Sequence, residues 1–165
     1  MGLKLSRGAG VSGYETVDIV RLEERFFSPF GRILEPSAGE RPEVSEPGNF
    51  DFYVPFKELS QGWQIGYLTC TCKKLHRLER HSNTAEVFCP LEGTPLLVVS
   101  EDPAVHGSGS TKWAVKGFLL DKPIVFNRGV WHGVLSVTGK STILIVESPD
   151  VTDEFLTLEM PLAVP

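Results

Sequence analysis

The chain lacks what a membrane span requires. Its longest apolar runs, such as TILIV at 142–146, fall far short of the ~20 residues needed to cross a bilayer, and the start MGLKLSRGAG has no apolar signal core. Positive charge is also in short supply. Sixteen Lys and Arg against 21 Asp and Glu give a net charge of -5, so the surface offers no footprint for nucleic-acid phosphates or anionic lipid. Cysteine is limited to Cys70, Cys72 and Cys89, an odd number with no secretory context, which excludes a disulfide framework and predicts buried free thiols. A cytoplasmic protein with no nucleic-acid or membrane partner is expected. MGLKLS fits the permissive acylation pattern at Gly2, but residues 1–16 read more simply as a flexible tail.

Turn formers are plentiful: 16 Gly and 12 Pro in 165 residues favour many short elements in one domain over residues 17–165. DIVRLEERFFSPFG reads as a short helix capped by Asp18, with Leu22, Phe26 and Phe27 on its apolar face and Gly31 at its end. The polar, proline-rich SAGERPEVSEPGN reads as a surface loop and DFYVPF as an edge strand. From Trp63 onward, WQIGYLTCTC, HRLERH, EVFCPL, PLLVVS, KWAVKGFLL, IVFN, VWHGVLSV and STILIVES alternate with turns such as SNTA, EGTP, NRG and TGK. Short strands at this spacing predict an all-β sandwich or barrel. DVTDEFLTLEMPLAVP adds a strand or a short helix that covers a barrel end or a neighbouring subunit.

Chemistry concentrates in LERHSNTAEVFCPLEG. On a strand Glu79 and His81 share a face with Arg77 and Lys73. After the turn Ser82–Ala85, an antiparallel return brings Glu86 over the same face. Two carboxylates this close repel unless protons or a cation offset them. Imidazole with carboxylates suits Ni, Mn, Fe or Zn. His132, three residues after the turn glycine Gly129, supplies a fourth ligand. A charged surface hairpin with an unrelated core histidine would leave the same letters. His76 lies off the shared face, and His106 sits in the Gly/Ser-rich HGSGS. Arg77 suits a substrate carboxylate. Asn127 and Arg128 lie close enough to His132 to contact a ligand, and Lys73 is a candidate general acid. Arg80 and Trp131 point to the other face, where packing is their expected role.

Glu79-x-His81-x4-Glu86-x6-Gly93 and Gly129-x2-His132 resemble the two cupin motifs, with glutamate where most metallocupins have the first histidine. SPFGRILE, HRLERH, FCPLEG and NRGVWHGVL resemble, in that order, the ureidoglycolate lyase family of cupins, over Asp18 to Pro149. The resemblance implies a cupin jelly-roll β-barrel with a short N-terminal helix and a divalent metal on Glu79, His81, Glu86 and His132. It further implies a homodimer that cleaves ureidoglycolate, or a related small hydroxy acid, to glyoxylate and urea. Asn127 and Gly133 depart from the family, which is expected to carry histidine at both, and Glu86 stands where some lyases have glutamine. Other metal-dependent cupin enzymes, such as a sugar isomerase or an oxygenase, and a non-catalytic small-molecule binder remain alternatives.

Overall fold

The computed structural model describes residues 13–59, 62–101 and 114–165. Gly2 and His106 lie outside them. Fourteen strands and one helical turn are present among the described residues. The eight strands expected from Trp63 onward all form: β6 (Gln64–Cys70), β7 (Lys74–His81), β8 (Glu86–Glu92), β9 (Pro95–Ser100), β10 (Val115–Leu119), β11 (Ile124–Phe126), β12 (Trp131–Ser136) and β13 (Ser141–Glu147). They divide alternately between two sheets, with β7-β12-β9-β10 in one and β11-β8-β13-β6 in the other. Strands that follow one another in sequence thus cross between facing sheets, except at the β9–β10 pair, which is the connectivity of a jelly roll.

The remaining strands extend this frame. Strand β14 (Asp153–Ala163) pairs antiparallel with β7, β2 (Ile19–Val20) pairs parallel with β10, and β3 (Gly31–Ile33) pairs with β11. The C-terminal segment is therefore a strand. Strand β1 (Glu15–Thr16) pairs with Leu162 and Ala163, inside the segment expected as a tail.

Three expectations change. The helix over residues 18–31 shrinks to the single turn α1 (Glu24–Phe27), preceded by Glu23 instead of an Asp18 cap. Val17, Ile19 and Val20 are β-branched, and Ile19 and Val20 are taken up by pairing with Gly117 and Phe118. Phe26 is exposed, while Phe27 and Phe30 are buried among Leu22, Phe118 and Phe126. The loop SAGERPEVSEPGN contains a strand, β4 (Val44–Glu46), which forms a two-stranded hairpin with β5 (Phe50–Phe52). Cys72 lies beyond the end of β6 and is exposed, so only Cys70 of that pair is buried.

The interior between the sheets is apolar at one end, where Phe27 meets Phe118 edge-on at 5.4 Å and Phe88 meets Phe126 at 5.1 Å. Each such side chain contributes about 1.5–3 kcal/mol by burial. Strand β9 is buried along its whole length. It forms the rigid centre against which β12 registers, with Val99 opposite His132.

Candidate metal centre

The stretch from Leu78 to Gly93 is not a paired hairpin. Strand β7 belongs to the seven-stranded sheet and β8 to the five-stranded one, so the turn at Ser82–Ala85 carries the chain across the interior. Glu79 and His81 come from one sheet and Glu86 from the other, and they meet face to face. Glu79 lies in register with His132 on β12, which makes their side chains cross-strand neighbours.

Two glycines hold this arrangement. Gly129 adopts φ +78°, a conformation that favours glycine, and its N–H donates to the carbonyl of His81 at 2.8 Å. The turn before His132 is thereby tied to the end of β7. Gly93 adopts φ +74°, and a Cβ there would run into the Lys140 carbonyl and lie 3.0 Å from Ser141 Cα.

His132 is 2% exposed, Glu86 5% and His81 7%. The His132 ring stacks on Phe126 at 4.6 Å and 19°. Its Nδ1 lies 2.9 Å from the Val130 carbonyl. A carbonyl only accepts, so Nδ1 carries a proton, and in the neutral ring Nε2 is an acceptor. That Nε2 is 3.0 Å from Glu86 Oε2, also an acceptor. Among the described residues neither buried atom has a hydrogen-bond partner, and His81 Nδ1 is in the same position although Asp153 Oδ1 approaches it to 3.0 Å. Such orphaned atoms are costly unless a proton or a cation lies between them.

The Glu86 carboxylate, with Oε2 3.4 Å from His81 Nε2, raises the His81 imidazole pKa to about 9 against the opposing effect of burial. Burial pushes Glu86 up, but the neighbouring imidazoles of His132 and His81, at 3.0 and 3.4 Å, outweigh it and bring the carboxyl down to about 2. Glu79 is looser, with its carboxylate 3.8 Å from His132 Nε2 and 40% of its side chain exposed.

Donor atoms of Glu79, His81 and His132 lie within 4.8 Å of one another, as do those of His81, Glu86 and Glu147. Donors on opposite sides of a metal at ~2.1 Å stand about 4.2 Å apart, so each group of three, sharing His81, fits a divalent ion after small side-chain movements. Glu147 and Asp153 escaped the sequence reading. They reach His81 from β13 and β14, and no local motif marks a residue brought in by strand order.

A cleft of about 400 Å³ opens onto this centre, lined by Leu68, Cys70, Leu75, Arg77, Glu79 and His132 among others. The Arg77 guanidinium lies over the Phe155 ring at 4.4 Å. The other proposed contacts lie elsewhere. Lys73 is not in the cleft lining, and a Cβ added at Gly139 would stand 3.9 Å from its Cε. Asn127 donates from Nδ2 to the Pro29 carbonyl at 3.3 Å, and Arg128 pairs with Glu58. Arg80 pairs with Glu154 at 2.7 Å and covers Trp131, away from the centre as expected.

The protein-family model described as Ureidoglycolate lyase matches residues 14–159. The chain belongs to the ureidoglycolate lyase family. A relative named Ureidoglycolate lyase from Pseudomonas aeruginosa (strain LESB58) is 27% identical over 143 residues, covering 80% of this chain and 83% of the relative. One of the same name from Brucella melitensis biotype 2 is 26% identical over 143 residues, covering 81% and 83%. Among solved structures, a dTDP sugar isomerase from Desulfovibrio desulfuricans G20 is similar at a TM-score of 0.39 and 16% identity, over 82% of this chain and 80% of that one. Among the described residues of this ureidoglycolate lyase family member, no helix is long and apolar enough to cross a membrane.

Proposed function

We propose that this chain is a metal-dependent ureidoglycolate lyase, releasing glyoxylate and urea from ureidoglycolate or acting on a closely related small hydroxy acid. The observation that carries this reading is the pair of buried acceptors, His132 Nε2 and Glu86 Oε2, 3.0 Å apart beside a cleft that also presents Arg77 and Glu79. Family membership supplies the substrate. Glu79, His81, Glu86 and His132 would hold a divalent ion of the Ni, Mn, Fe or Zn group, which when bound supplies Lewis-acid polarisation of substrate oxygens.

The chain's own groups do the rest. Arg77 offers parallel N–H donors to the substrate carboxylate, and stacking on Phe155 fixes its plane. Glu79, the least tightly held carboxylate, takes the hydroxyl proton of the substrate. As that O–H bond breaks, the aldehyde carbonyl forms, the C–N bond breaks and its electron pair leaves with the urea nitrogen. The same proton passes from Glu79 to that nitrogen, so one carboxyl serves as base and then acid. Lys73, outside the cleft lining, has no part in this route.

The test is release of urea and glyoxylate from ureidoglycolate by metal-loaded protein, with loss of activity after chelation and recovery on re-addition. Loaded protein that releases neither product ends the proposal. A homodimer is supported by Trp63, Ile65 and Tyr67, exposed on or beside the sheet-edge strand β6. Light scattering at twice the chain mass checks it.

A further inference from the structure

We propose that Glu147 is a fifth protein donor to the metal, making the centre carboxylate-rich and drawing ligands from β7, β8, β12 and β13. This rests on the metal reading above. Glu147 ends β13, the neighbour of β8 in the five-stranded sheet, and Val146 lies in register with Val87 beside Glu86. One donor atom each from His81, Glu86 and Glu147 falls within 4.8 Å. Glu86 Oε2, on a side chain more than nine-tenths buried, is without a hydrogen-bond partner among the described residues. Gln64 Nε2 donates to Glu147 Oε1 at 2.9 Å, which orients the carboxylate and leaves Oε2 as the oxygen available to a cation.

The surroundings hold Glu147 in place. Thr84 Oγ1 accepts from the Ser148 amide at 3.3 Å, and Asn83 Oδ1 accepts from the Thr152 amide at 3.0 Å. The turn after His81 is thus bonded to the segment that follows Glu147, so His81 and Glu147 move as one unit. Three carboxylates with two imidazoles favour Mn(II) or Fe(II), which accept five or six donors, over a tetrahedral zinc site.

Chelator-stripped full-length wild type, Glu147→Gln, Glu147→Asp and Glu86→Gln are titrated with Mn(II) by calorimetry, with circular dichroism confirming the fold. Both Glu147 variants are expected to weaken binding by ~10–100-fold. Glu147→Asp is decisive because it keeps the charge and shortens the reach, which a purely electrostatic role would not register. If Glu147→Asp binds Mn(II) within twofold of wild type while Glu86→Gln loses it, Glu147 is not a donor and the metal reading stands. If Glu86→Gln also binds as wild type does, the metal reading fails with it.

Discussion

Replacing Glu86 with glutamine removes the buried carboxylate 3.4 Å from His81 Nε2 and 3.0 Å from His132 Nε2, while keeping the side chain's shape. A neutral amide oxygen is a poor ligand for a divalent ion, and losing a direct ligand weakens binding at least as much as the ~100-fold upper range for outer-shell partners. Metal at a hundredfold excess over Kd stabilises the wild type by about 2.7 kcal/mol, which is ~5–11 °C in Tm for a domain of this size. With Kd raised a hundredfold, the same metal concentration equals Kd. The linkage then falls to about 0.4 kcal/mol, or ~1–2 °C. The assay is thermal unfolding of chelator-stripped wild type and Glu86→Gln, each with and without Mn(II) or Ni(II). Equal metal-induced shifts in the two proteins would refute the ligand role of Glu86, whatever their metal-free Tm values.

Stability of the metal-free protein should follow the His81–Glu86 pair. His81 is raised from 6.5 to about 9, so its contribution is complete below pH 6.5 and lost as pH rises through 9. Glu86 is lowered from 4.5 to about 2, so its contribution is present above 4.5 and lost as pH falls through 2. Urea midpoints should therefore be higher at pH 5.5 than at pH ~9, and a flat profile across this range would count against the pair. Metal affinity should run the other way, rising up to tenfold per pH unit towards 9, because the ion must displace the His81 proton. Gly93→Ala forces a Cβ against the Lys140 carbonyl at positive φ and should cost ~1–3 kcal/mol in chemical denaturation; an unchanged midpoint would exclude the close approach. Arg77→Lys keeps the charge but loses the paired donors and the stacking on Phe155. It should raise KM for ureidoglycolate ~10-fold with a smaller change in kcat, and an unaltered KM would remove Arg77 from substrate binding.

Strands were legible where their patterns were local. β6 to β13 coincide with the runs read from the sequence, β7 starting two residues earlier and β8 ending one later, because alternation and turn chemistry are properties of consecutive residues. The helix was over-read because Leu22, Phe26 and Phe27 satisfy a helical spacing, while the pairing of Ile19 and Val20 with β10 depends on residues about 98 positions away. The four candidate ligands taken from spacing, Glu79, His81, Glu86 and His132, lie beside one another in the structure. What the spacing could not convey is that the turn after His81 crosses between sheets. Glu86 was expected over His81 as a paired strand neighbour, and it arrives there from the facing sheet. Glu147 and Asp153 follow from strand order, which no single segment encodes.

The departures from the family pattern bear on whether the chemistry has moved. At Gly133 a Cβ would stand 2.7 Å from Leu75 Cδ2 and 3.4 Å from Leu78 Cδ2, so a side chain there would press on these leucines and not reach the centre. Glycine lets Leu75 keep its place in the cleft lining. Asn127, bonded to Pro29 through its side chain and to Phe30 through its N–H, anchors the start of the His132 turn to the aromatic end of the interior. Neither position supplies a donor to His81, Glu86 or His132. In the proposed mechanism the departure that bears on the chemistry is Glu79. A carboxylate in register with His132, more exposed than His81, Glu86 and His132, would be free to carry a proton, which a histidine ligand held through both nitrogens would not do.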